Sequence, residues 1–92
     1  MTYTIVMTPE AERHLKEWHK SGQKKTLKKI GDLLEELRQH PTTGTGQVEQ
    51  LKGDLTGLWS RKISKGERLI YSIEDAKVIV YVISLKGHYG DK

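Results

Sequence analysis

Six side chains in the second half of this sequence are of the types that phosphodiester chemistry uses: Glu49, Lys52, Arg61, Arg68, His88 and Tyr89. Cleaving RNA by attack of its own 2′-hydroxyl needs a base for that hydroxyl and an acid for the departing 5′-oxygen. It also needs cations on the phosphorane, whose equatorial oxygens gain charge. Glu49 has the type for the base and His88 for the acid. Arg68, Arg61 and Lys52 would make a cationic cradle, and guanidinium suits a phosphate because its planar fork donates two parallel bonds. Tyr89, beside the acid, could stack on an unpaired base.

Each residue also has a plainer reading. Glu49 could be an edge carboxylate pairing with Lys52. Arg61 and Arg68 on neighbouring strands could be solvent-facing charges that oppose edge-to-edge association. His88-Tyr89 could be a frayed end. Other chemistries have less in their favour. The histidines at 14, 19, 40 and 88 show no His-x3-His or His-Glu-x-x-His spacing, so neither a metal nor another cofactor is expected. His14 and His19 are expected at the surface. No Gly-x-Ser-x-Gly elbow exists, and Gly44-Thr45-Gly46 lacks the following helix and Lys-Ser/Thr pair of a phosphate loop.

The elements that must position these groups follow from patterning. Thr2 to Met7 alternates Tyr3, Ile5 and Met7 against Thr4 and Val6, as a short strand does. Thr8-Pro9-Glu10 signals a helix start, and Ala11, Leu15 and Trp18 recur at helical spacing to about His19. Ser21-Gly22 breaks that helix. A second helix is expected from Lys24 to Gln39 on the stripe Leu27, Ile30, Leu34 and Leu37, stopped by His40-Pro41. Its charges oppose the macrodipole, with Lys24, Lys25, Lys28 and Lys29 early and Asp32, Glu35 and Glu36 late. Those lysines read either as a solvated face or as a phosphate-contacting ridge. Beyond a loop at Pro41 to Gly46 the chain turns to strands: a short edge within Val48 to Leu51, then Leu58–Ile63, Arg68–Ile73 and Val78–Ser84. Val78 to Ile83 has little polar alternation, which predicts a central strand covered on both faces. The pattern β-α-α-β-β-β describes an α+β domain with helices on one face of a sheet.

The totals set the limits. Ninety-two residues make one domain, and the absence of cysteine removes disulfides, thiolate metal sites and thiol nucleophiles. The net charge of +4 favours polyanionic partners. It is spread evenly, with eight basic and six acidic groups in each of residues 1–45 and 46–92. No signal peptide is visible, and no apolar run approaches the ~20 residues that cross a bilayer, so a cytoplasmic protein without a membrane partner is expected. Pattern alone stops at a basic α+β domain for which an RNA-directed role stays open.

One ordered set goes further. Glu49-Gln50-Leu51-Lys52, Leu55-Thr56-Gly57-Leu58-Trp59-Ser60-Arg61, Arg68-Leu69-Ile70-Tyr71 and His88-Tyr89, with the Pro-x-x-Gly-x-Gly loop at Pro41 to Gly46, closely resembles the YoeB/Txe toxins of the RelE superfamily. The likeness covers nearly the whole chain. It implies a RelE-like (microbial RNase-like) fold, with two N-terminal helices on a mainly antiparallel sheet. It also implies a ribosome-dependent endoribonuclease that cuts mRNA in the A site. Glu49 takes the position of the family's base, His88 that of its acid and Arg68 that of the transition-state arginine. Lys52 and Arg61 match phosphate-binding residues, and Tyr89 a tyrosine that contacts the base. The implied partners are a Phd/YefM-type antitoxin, the 70S ribosome with its mRNA, operator DNA through the antitoxin complex, and a second copy in a homodimer. Docking on ribosomal RNA would give Lys24, Lys25, Lys28 and Lys29 a role. In this sequence Lys62 stands where many relatives carry a second arginine after Ser-Arg. Leu85-Lys86-Gly87 makes a slightly longer approach to His88, and Gly90-Asp91-Lys92 follows Tyr89. The competing reading is a non-catalytic module that binds the ribosome or an antitoxin, or acts as an operator-binding co-repressor.

Overall fold

The structure is a computed structural model that describes residues 2–87. The first strand, β1 (Thr4–Met7), leads into helix α1 (Pro9–Ser21). Thr8 caps that helix, its Oγ1 accepting from the Ala11 N–H at 3.1 Å, and proline opens the first turn where no N–H is needed. Gly22 ends it in the left-handed region at φ 72°. Helix α2 (Lys24–Gln39) has the expected bounds.

Five strands form one sheet in the order β1-β5-β4-β3-β2, with β2 (Glu49–Gln50), β3 (Leu58–Lys62), β4 (Arg68–Glu74) and β5 (Ile79–Gly87). All neighbours are antiparallel except β1 and β5, which run parallel with Thr4 beside Ile79 and Met7 beside Val82. The helices lie on one face. Ala11 and Trp18 of α1 and Ile30, Leu33 and Leu37 of α2 close a core with Leu69, Tyr71, Val80, Val82 and Leu85 from the sheet.

β5 is interior, flanked by β1 and β4, but β4 holds the middle position. Val80 and Val82 are fully buried while Ile79, Tyr81 and Ile83 are only half-buried. The expectation that both faces of β5 are covered is therefore corrected, because the helices lie on one side only. No helix among the described residues is long and apolar enough to cross a membrane.

Candidate functional site

Residues directly opposed on antiparallel strands share a face, and successive residues alternate faces. Trp59 is opposed to Tyr71 and Arg61 to Leu69, and these look toward the helices. The other parity gives two rows across the helix-free face. Glu49, Ser60 and Ile70 form one, and Lys62, Arg68 and Gly87 form the next. With strands about 4.8 Å apart, the β2 and β4 backbones stand roughly 10 Å from each other. Long side chains at Glu49 and Arg68 can span that distance around a phosphodiester. Glu49 and Lys52 are exposed, while Lys62 and Arg68 are half-buried. The Ser60 hydroxyl, in the row of Glu49, is buried with no hydrogen-bond partner among the described residues.

Arg61 does not join this group. Against the expectation of a phosphate-binding cation, its side chain is fully buried and turned toward the helices. All five N–H donors of the guanidinium have acceptors. Nε donates to the Tyr71 hydroxyl at 3.3 Å. Nη1 donates to Glu36 Oε1 at 2.5 Å and to the Thr45 carbonyl at 3.3 Å. Nη2 donates to the carbonyls of His40 at 2.5 Å and Thr43 at 2.8 Å. A buried charge costs several kcal/mol in lost hydration, and only partners at every donor offset it. This arginine therefore has nothing left for a ligand.

What the buried arginine does is hold a loop. Residues 40–45 have no ladder of their own, so their carbonyls need partners. Arg61 takes three of them, and the Tyr71 hydroxyl donates to a fourth, Pro41, at 2.6 Å. Burial is the main reason the Tyr71 phenol lies above its ordinary pKa, with the Glu36 charge adding to it, so the proton needed for that bond stays on. Glu36 closes the loop from α2, accepting from Thr45 N at 2.8 Å and Thr45 Oγ1 at 3.0 Å. Burial by itself would raise the Glu36 carboxyl, but the Thr45 hydrogen bonds and the Arg61 charge outweigh it and hold the group below its usual range. Gly46 then passes so close to β3 that its carbonyl accepts from Lys62 N at 2.6 Å, and a Cβ there would lie 3.2 Å from the Arg61 Cβ. The loop delivers Glu49 to its place opposite Ser60.

Glu36 and Tyr71 thus position the site, and sequence reasoning assigns them no such role. A carboxylate near the negative end of α2, beside the apolar stripe, was the available signal, since such a placement needs a compensating partner. Lys62 is the cation that alternation, rather than charge, puts on the face of Arg68. Lys24, Lys25, Lys28 and Lys29 are all exposed, and Lys28 pairs with Asp32 at 3.1 Å. They lie on α2, apart from the rows. His14 is corrected from the surface to a buried position against β5, where its Nδ1 accepts from the Leu85 N–H at 3.2 Å. His88 and Tyr89 fall outside the described residues.

Three comparisons bear on this arrangement. The family model described as the YoeB-like toxin of bacterial type II toxin–antitoxin systems matches residues 7–89. The chain is 39% identical over 72 residues to Toxin YoeB of Synechocystis sp., covering 78% of this chain and 81% of that one. It is 36% identical over 77 residues to the mRNA interferase toxin RelE of Escherichia coli K12, covering 80% and 74%. Among solved structures, a YoeB/ParE toxin from Agrobacterium tumefaciens superposes with a TM-score of 0.86 at 30% identity, covering 94% of this chain and 99% of that one. The YoeB of a heterotetrameric YoeB-YefM toxin-antitoxin complex from Staphylococcus aureus gives 0.78 at 34% identity, covering 97% and 100%.

Proposed function

Because the chain belongs to the YoeB-like toxin family of bacterial type II toxin–antitoxin systems, we propose that it is an endoribonuclease that cuts mRNA in the ribosomal A site. The observation that supports this reading is the pair of rows on the helix-free face, an exposed carboxylate in one and two cations in the other.

In this scheme Glu49 takes the proton from the 2′-hydroxyl, and the freed oxygen attacks the adjacent phosphorus. Arg68 carries the charge that develops on the phosphorane oxygens, with Lys52 and Lys62 as further cations. The bond to the 5′-oxygen breaks as His88 gives that oxygen its proton, leaving a 2′,3′-cyclic phosphate and a 5′-hydroxyl. No step calls for a metal. Tyr89 stacks on the substrate base. Lys62 replaces the cradle role first assigned to Arg61, and it supplies charge without a bidentate fork. Lys24, Lys25, Lys28 and Lys29 contact ribosomal RNA, which makes docking salt-sensitive. A YefM-type antitoxin restrains the toxin, as the solved Staphylococcus complex suggests for this relative.

The test uses purified protein, programmed ribosomes and two messages that differ by one 2′-deoxy residue at the A-site codon. Cleavage of the all-ribose message, unaffected by EDTA and abolished by the deoxy substitution, is expected. Glu49→Gln and His88→Ala should each slow the cut by about 10²–10⁴-fold. Cleavage at the deoxy position would exclude the 2′-hydroxyl route. Full binding to ribosomes without any cut would favour the non-catalytic module.

A further inference from the structure

β5 does not run evenly beside β4. From Glu74–Ile79 to Tyr71–Val82 the two strands keep step, and then the register slips twice, to Ile70–Ser84 and to Arg68–Gly87. β5 takes five steps from Val82 to Gly87 where β4 takes three from Tyr71 to Arg68. Residues added to one strand of a pair lose their ladder partners and bend the strand. Here the bend is buried. Leu85 has no exposed surface, so its peptide groups must find partners elsewhere.

They find them on α1. The Leu85 N–H donates to His14 Nδ1 at 3.2 Å, and the Leu85 carbonyl accepts from Trp18 Nε1 at 3.0 Å. The neighbours are held too. The Ser84 hydroxyl lies 3.3 Å from His14 Nδ1 and accepts from Lys86 N at 3.2 Å. The Lys86 ammonium meets Glu17 Oε1 at 2.9 Å and sits 5.2 Å from the centre of the Trp18 ring. His14, Glu17 and Trp18 are spaced i, i+3 and i+4, so they form one helical stripe laid along residues 84–86. Because Nδ1 accepts from a backbone N–H, the His14 ring proton is on Nε2, which lies 3.7 Å from Glu10 Oε2.

Plain helix-on-sheet packing would ask for wholly apolar side chains at the two buried positions, His14 and Trp18, since a buried polar group is unfavourable without a partner; Glu17 stands exposed at the edge of the stripe. The partners here are peptide groups that exist only because the strand is irregular. The strand reaches Gly87 beside Arg68, where a Cβ would lie 2.5 Å from Ile70 Cγ1. His88 is the next residue in sequence.

We propose that His14, Glu17 and Trp18 are positioning residues that fix the course of β5 at Leu85 and so hold Gly87 beside Arg68, the point from which the chain passes to His88. The proposal rests on the reading of His88 as the general acid.

Trp18→Phe is the informative change, because it keeps an aromatic ring against the core while removing the indole donor together with part of the ring's volume. Expected are a fall in kcat of about tenfold to a hundredfold, an unchanged KM for programmed ribosomes, and faster amide exchange at Leu85 to Gly87 with the helices still protected. In a His88→Ala background the same change should slow the residual cleavage no further, since both act on one proton transfer. Glu17→Gln, which keeps a hydrogen-bond acceptor for Lys86, should be milder than Glu17→Ala. Full activity of Trp18→Phe, an effect that persists at equal size without His88, or an effect confined to KM would overturn the positioning role. The reference proteins separate the two levels of failure. A wild type that does not cut removes the interferase reading and this proposal together. A wild type that cuts normally with His88→Ala removes the acid assignment on which it rests.

Discussion

Arg61 and Lys62 are consecutive residues of one strand with the same charge, and they meet opposite surroundings. Arg61 faces the helices and has an acceptor for every donor, from Glu36, Tyr71 and three loop carbonyls. Lys62 faces the other way, opposed to Arg68 and in the row next to Glu49. The helix-covered face has spent the Arg61 charge on holding its own loop. On the proposed reading the other face offers Glu49 and Lys62 to the substrate, so strand parity and the occupation of a side chain's donors, and not charge alone, separate the two neighbours.

Substitutions at these neighbours should separate cleanly. Arg61→Met is expected to destabilise the fold by roughly 3–5 kcal/mol, because it leaves the Glu36 charge and three carbonyls without their partner. Urea unfolding measures this, and Arg61→Lys should recover little, since three donors cannot fill five places. Lys62→Ala should do the reverse, leaving the unfolding midpoint within about 0.5 kcal/mol of wild type. It should also slow single-turnover cleavage by about tenfold, or roughly 1.4 kcal/mol of barrier. Lys62→Arg would sharpen the contrast by restoring or improving cleavage through a bidentate fork. If Lys62→Ala unfolds the protein, or Arg61→Met slows cleavage without loss of stability, the division between the faces is wrong.

The smallest expected effect lies in pH. The Glu36 carboxyl is held below its ordinary value, so the unfolded chain takes up that proton first as the medium is acidified. The stability Glu36 contributes is complete above the usual carboxylate range, near about 4.3, and is lost as pH falls through its lower folded value. Thermal unfolding followed from about pH 7 to about pH 3 should show this loss in wild type, and a shallower one in Glu36→Gln.

Much of the frame was legible in local sequence. The Thr8 cap and the α2 boundaries follow from short-range rules, and the structure agrees with both. Even the orientation of Arg61 was half-written, since it alternates in phase with Trp59 and Ile63, both of which pack on the core. What no local pattern supplies is Glu36, 25 positions earlier, which makes it possible to bury a guanidinium there. His14 was hidden for a related reason. Its acceptor role depends on a bend in β5 that comes from the pairing register with β4, a relation between distant segments. That Lys62 shares a face with Arg68 needed only the alternation along β3.

The parallel pairing of β1 with β5 has a consequence for the order in which this protein can come into being. The first strand of the sheet waits for the last, with Thr4 seated beside Ile79 only after all the intervening elements exist. During synthesis from the N-terminus, α1 and α2 emerge early with their apolar faces unmatched, because Val80, Val82 and Leu85 are among the last core residues made. Contacts so far apart in sequence are slow to close. A chain still attached to the ribosome that is making it thus lacks both a finished core and the open face of the sheet, and the two are completed in the same event.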